Sequence, residues 1–236
     1  MRNNTRFDTV GSAVFLTAEL AFLIAIQLTH GRINDLLCVL SVALALIFSC
    51  MFGNRSRDGI LISLALLFTL VADTILQFSD PIQRLPAMLF FSAAQLLYAL
   101  LLLSELAWGN RKKRLFLYAA TEAAALLLTV AVLREKADAV SLVSLFYYAT
   151  LVVNILSAFR ARRSLTFAIG LVFFLLCDTV VGLDVMILEY IPLSPDSLFY
   201  RLTHTGINLA WLFYVPAQTL IAFSVTERNA ATYETA

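Results

Sequence analysis

The sequence predicts an all-α integral membrane protein of eight transmembrane helices. Hydrophobic residues make up 61% of the chain and charged residues only 14%, where a soluble domain is nearer half apolar and a quarter charged. Apolar stretches long enough to cross a bilayer recur along the whole length, separated by short polar breaks. Lysine and arginine gather in alternate breaks, as the positive-inside rule requires of a polytopic protein.

The spans follow in order. The first covers residues 10–29 and ends at His30-Gly31-Arg32. Arg2 and Arg6 ahead of it resemble the start of a signal peptide. The run is long, however, holds Glu19 at its centre and lacks an A-x-A cleavage site, so it reads as an uncleaved first helix. The second, 35–52, is the shortest and stops at Gly53 to Asp58. The third and fourth cover 59–78 and 86–107, with Ser79 to Pro86 between them. Gly109 to Arg114 leads into the fifth, 114–133. Arg134 to Asp138 precedes the sixth, 139–159, and Arg160 to Ser164 precedes the seventh, 165–188. Glu189 to Arg201 forms the longest break before the eighth, 203–226. The breaks are too short for a further domain, so residues 1–236 read as one polytopic unit.

With eight spans, both termini share one side with the second, fourth and sixth breaks. That side carries twelve cations: Arg2, Arg6, Arg55, Arg57, Arg111, Lys112, Lys113, Arg114, Arg160, Arg162, Arg163 and Arg228. The other carries five: Arg32, Arg84, Arg134, Lys136 and Arg201. This bias places both termini in the cytoplasm of a protein of the plasma (cytoplasmic) membrane. Cys38, Cys50 and Cys177 all fall in apolar runs without a CxxC pair, and read as buried thiols.

An internal repeat is visible. Leu66 to Phe78 reads LLFTLVADTILQF, and Leu171 to Leu183 reads LVFFLLCDTVVGL, at an offset of 105. Glu19 answers Glu122 at an offset of 103. Four spans separate the partners, so the repeat is parallel, with four-plus-four halves at 10–107 and 114–226.

Charged side chains in hydrocarbon are costly and mark sites that face a bundle interior. Asp73 and Asp178 each lie about five residues before the outer end of a span, roughly 8 Å below the outer surface. Equal depth in two parallel helices would let both carboxylates face one cavity. Alternatively, each bonds a neighbouring hydroxyl or backbone group. In the eighth span, His204, Asn208, Trp211, Val215 and Gln218 recur in steps of four and three, one helical face. Its outer end brings His204 and Asn208 toward the aspartate layer. Ser92, Gln95 and Tyr98 of the fourth span have a similar direction. Such residues also serve as interhelical glue. Arg84 and Arg201 flank the aspartate spans on the outer side, where an arginine fork suits a phospholipid phosphate or anchors the interface. Glu19 and Glu122 lie near mid-membrane and could pair with polar groups or relay protons.

Two histidines cannot build a three-histidine zinc site, and no metal or other cofactor is expected. No nucleophile elbow, Walker loop or dinucleotide fingerprint is present. A net charge of +1 gives no sign of nucleic-acid binding.

Several segments resemble the YhhN-like lysoplasmalogenase family. They are Phe68-Thr-Leu-Val-Ala-Asp73-Thr-Ile-Leu76, Phe90-Phe-Ser-Ala-Ala-Gln-Leu-Leu-Tyr98, Gly170-Leu-Val-Phe-Phe-Leu-Leu-Cys-Asp178 and Tyr214-Val-Pro-Ala-Gln218-Thr-Leu-Ile221. The resemblance implies an eight-helix membrane enzyme that hydrolyses the vinyl ether bond of lysoplasmalogens. It also brings Tyr214 among the substrate-binding candidates, with Gln95, Tyr98, His204, Asn208, Gln218, Arg84 and Arg201. The chain departs from the family pattern in four places. Ala72 and Cys177 stand where Gly and Ser are usual, Gln95 where a histidine is common, and no Lys-Pro pair lies near Asn34-Asp35. The last two losses would fit a different substrate or a lost activity.

Vinyl ether hydrolysis begins with protonation of carbon and leaves an oxocarbenium ion for water to attack. That chemistry needs one protonated acid and one ionised carboxylate, and close carboxylates in a low dielectric do not ionise together readily. Asp73 and Asp178 are the expected catalytic pair, acting on a lysophospholipid. Two other classes of function meet the same residues: a proton-coupled small-solute transporter and a non-catalytic lipid-binding relative.

Overall fold

The computed structural model describes residues 2–53, 56–104, 108–160, 164–187, 194, 196–204 and 206–234. Among them every regular element is helical. The long helices are α1 (Arg2–Leu28), α2 (Arg32–Gly53), α3 (Arg57–Phe78), α4 (Arg84–Ser104), α5 (Trp108–Leu133), α6 (Ala139–Arg160) and α7 (Leu165–Val185). A 3-10 turn, Arg134–Lys136, links α5 to α6, and the short α8 (Leu198–Thr203) precedes α9 (Leu209–Glu234). Eight helices, α1 to α7 and α9, are long and apolar enough to cross a bilayer. The chain is a multi-pass membrane protein. Of the cations counted for orientation, Arg55, Arg162 and Arg163 lie outside the described residues.

The helix starts are set by side chains that take up otherwise orphaned backbone donors. Ser56 Oγ accepts from Gly59 N at 3.0 Å, and Ser164 Oγ from Phe167 N at 3.2 Å. Asp138 and Ser141 cap α6 reciprocally: Ser141 N donates to Asp138 Oδ1 at 2.8 Å and Asp138 N to Ser141 Oγ at 3.0 Å. The eighth span departs from its sequence reading. Its helix begins at Leu209, not 203, because Asn208 Oδ1 accepts from Trp211 N at 3.3 Å and so ends the break after α8.

Inside the spans, most hydroxyls bond their own helix. Thr69, Ser92, Thr129, Ser157 and Thr219 each donate to the carbonyl four residues earlier, at 2.6 to 2.9 Å. This local back-bonding satisfies a polar group where lipid offers no partner. Two glycines permit backbones to meet. A Cβ on Gly59 would lie 1.9 Å from the Gly53 carbonyl oxygen where α2 turns into α3. A Cβ on Gly170 would lie 2.9 Å from the Ile221 side chain, so α7 and α9 press together there.

Several helix pairs pack along one another. α3 packs on α4 and α7 on α9; α1 on α2 and α5 on α6; α2 on α9 and α6 on α4. The common core holds Phe15, Val42, Leu66, Phe91, Tyr98, Tyr147, Phe167, Phe174, Tyr214 and Ile221. α5 stands at the edge, with Phe116 and Leu127 turned outward.

Candidate functional site formed by two aspartate–tyrosine pairs

Asp73 lies in the fifth turn of α3 and is 4% exposed. A carboxyl group there requires a partner, since burying one without compensation is costly. Tyr214, five residues into α9, donates its hydroxyl to Asp73 Oδ2 at 2.7 Å. Asp178 of α7 keeps some exposed surface and accepts a hydrogen bond from the Tyr147 hydroxyl of α6. Both tyrosines are buried.

Phe174, one turn before Asp178, joins the two pairs. Its ring meets Tyr214 edge-on at 5.3 Å and Tyr147 at 6.4 Å, with Phe91 6.3 Å away. Trp211 closes the far side of Tyr214 at 4.9 Å. These edge-to-face arrangements are the favoured ones for aromatic pairs. The two carboxyl groups lie within electrostatic range of one another, and the buried Cys177 lies within range of both. Two carboxyl groups in different surroundings of one apolar compartment can divide acid and base work between them.

The other sequence candidates divide into three groups. Tyr214 joins the aspartates directly. Gln95, Tyr98 and Gln218 are fully buried in the bundle. Asn154 Nδ2 donates to Gln95 Oε1 and to its carbonyl oxygen, both at 2.9 Å, and Asn154 Oδ1 accepts from Tyr118 at 2.5 Å. This chain fastens α5, α6 and α4. Tyr98 meets Phe167 edge-on at 5.5 Å. The third group sits at the outer rim. His204 stacks on Tyr200 at 3.9 Å, with Nδ1 4.0 Å from Asp184 Oδ1. Asn208 caps α9 and exchanges two bonds with Gln27 of α1: its N–H donates at 2.8 Å, and its carbonyl accepts at 3.1 Å. The face read from the sequence therefore starts with α9, and His204 stands off it. Arg84 is half-buried at the start of α4, and Arg201 is exposed on α8.

Tyr147 was not legible as a site residue. The available signal was its depth: it lies eight residues into its span, close to the level of Asp178. Partners also emerge for the mid-membrane glutamates. Ser41 donates to Glu19 Oε2 at 2.7 Å, and Thr150 to Glu122 Oε1 at 2.6 Å. Among the described residues no group of three or more His, Cys, Asp or Glu is placed to hold a metal ion. Cys38, Cys50 and Cys177 are free thiols; Cys38 and Cys177 are buried as expected, whereas Cys50 is exposed, its apolar run turning it to the outside of the bundle.

No curated protein and no solved structure matches this chain. A family model does, over residues 33–225, a stretch that takes in α3, α4, α6, α7 and the portion of α9 bearing Tyr214 and Gln218. An eight-span bundle, two aspartates in matching contexts and this long match agree, and the chain belongs to the YhhN family.

Proposed function

We propose that the protein is a membrane-embedded hydrolase of lysoplasmalogen-type vinyl ether lipids, with Asp73 and Asp178 as its catalytic residues. The observation that carries this reading is the pair of aspartate–tyrosine contacts joined through Phe174. One aspartate, protonated, gives its proton to the vinyl carbon. The ether oxygen then shares the positive charge, which the second, ionised aspartate stabilises. Water adds its oxygen to the cationic carbon and loses a proton to that carboxylate. The hemiacetal collapses to a fatty aldehyde and the lysolipid's alcohol, so one water is consumed and no cofactor enters the balance. Tyr214 and Tyr147 hold the carboxyl groups in orientation. Arg84 and Arg201 lie on the side where a phosphate headgroup would sit.

The cation bias supports a plasma-membrane protein with both termini in the cytoplasm. Reporters fused at Ala236 and in the break near Lys136 should then read opposite compartments. The parallel duplication belongs to the same proposal. It is supported by the recurring neighbour order and by the glutamate–hydroxyl pairs at Glu19 and Glu122.

The direct test is fatty aldehyde release from a lysoplasmalogen by purified protein. Proton-linked solute uptake without aldehyde would replace the hydrolase with a transporter. Lysolipid binding that Asp73→Asn and Asp178→Asn leave untouched would reduce the aspartates to structural residues.

A further inference from the structure

Gln218 is fully buried, and neither its Nε2 nor its Oε1 has a hydrogen-bond partner among the described residues. The hydroxyls of neighbouring turns are satisfied: Thr219 donates to the Val215 carbonyl at 2.7 Å and Ser224 to the Ile221 carbonyl at 2.7 Å. Leaving a buried primary amide unpaired is destabilising, and an apolar residue of similar size would avoid that cost. Pro216, two residues earlier, also deprives the Leu212 carbonyl of its intrahelical donor.

Beside the amide, the Ala217 carbonyl and the Ile221 side chain pack against Gly170 of α7. Gln218 lies four residues after Tyr214, so both share a face of α9, about 6 Å apart along the axis. Tyr214 holds Asp73. The amide thus sits one turn below the catalytic layer, on the cytoplasmic side of the aspartates in the proposed orientation.

We propose that Gln218 is a positioning residue that seats the hydrolytic water. An amide has both a donor and an acceptor, and a water molecule at hydrogen-bond distance above it would lie between Gln218 and the Asp73–Tyr214 level. Hydrolysis inside an apolar bundle requires such a seat, because a buried water needs two or more polar partners. A lipid whose phosphate lies at the outer rim sends only its alkyl chain past this depth, and an alkyl chain cannot satisfy an amide. The inference rests on the hydrolase reading for its reaction and on Gln218 alone for its site.

The test compares wild type with Gln218→Met, a near-isosteric variant, in lipid nanodiscs. Three quantities are measured: thermal stability, turnover of a lysoplasmalogen, and binding of a saturated 1-O-alkyl lysophospholipid that cannot be hydrolysed. The variant is expected to be as stable as wild type or more so. It should bind the saturated ether unchanged and lose about 100-fold in kcat, the scale of a misplaced reactant. Retained kcat overturns the proposal. So does weakened binding of the saturated ether, since the amide would then touch lipid. If wild type releases no aldehyde, or the variant does not fold, the hydrolase reading and the water seat separate. A wild-type structure that resolves ordered water then decides: a water on the Gln218 amide sustains the seat, and an amide bonded only to protein groups overturns it.

Discussion

The two aspartates stand in similar sequence contexts in α3 and α7, yet they obtain their tyrosines from different sources. Asp178 is held by Tyr147 from within its own half of the chain. Asp73 is held by Tyr214 from the opposite half, 141 residues away. Asp73 is buried, while Asp178 keeps some exposed surface. In the proposed duplication α2 would answer α6, and α2 carries no tyrosine. Equal sequence contexts have thus produced unequal surroundings. Close carboxyl groups share a proton through repulsion alone, and unequal surroundings would add a bias as to which of them holds it.

The comparison can be broken at several points. The largest effect is expected from Asp73→Asn and Asp178→Asn, each lowering aldehyde release by about 10²- to 10⁴-fold, the range for loss of a general acid or base. The double variant should be hardly worse than either, since residues acting as a unit fail together. Full additivity in a double-mutant cycle would separate the two sites.

Next come the tyrosines. Tyr214→Phe leaves a buried carboxyl group without its donor, at a cost of about 1–3 kcal/mol, or roughly ten- to 100-fold in kcat if the cost falls on the transition state. Tyr147→Phe should cost less, because Asp178 has exposed surface through which a substitute donor can reach it. Equal losses would remove the asymmetry drawn above.

Gly170→Leu tests the frame that carries Tyr214. The α7–α9 contact has no room for a side chain, and overpacking costs about 1–3 kcal/mol. The variant should lower thermal stability in detergent and weaken activity with it. The smallest effect is expected from the glutamates. Glu19→Gln and Glu122→Gln keep an acceptor for Ser41 and Thr150, so stability and aldehyde release should change by less than about threefold. A large loss at Glu19 alone would give it a part in proton delivery.

The eight spans were legible because the bilayer imposes their length and apolarity directly on the sequence. Asp73 and Asp178 were legible for the same reason inverted: a charge stands out against hydrocarbon. Their partners were not. Tyr214 and Tyr147 reach the aspartates through tertiary packing, and spacing along one helix carries no record of a contact across the bundle. The sequence reading starts the eighth run at 203, although Thr203 to Asn208 is polar apart from Gly206 and Ile207. Gly206 and Asn208, a helix breaker and a good cap, were the cues that this stretch is not the first turn of α9. The mistaken start placed His204 at the aspartate layer, whereas the fold holds it beside Tyr200 and Asp184 at the rim.

The paired bonds between Gln27 and Asn208 have a meaning for assembly. They fasten the C-terminal end of the first span to the beginning of the last, and α1 also packs along α9. During synthesis α1 enters the membrane long before α9 exists. Until then its main packing neighbour is α2. The bundle closes into a ring only when the eighth span arrives, and the same event delivers Tyr214 to Asp73. A protein shortened before α9 would therefore lack the Tyr214–Asp73 bond and leave its first helix without one of its two packing neighbours.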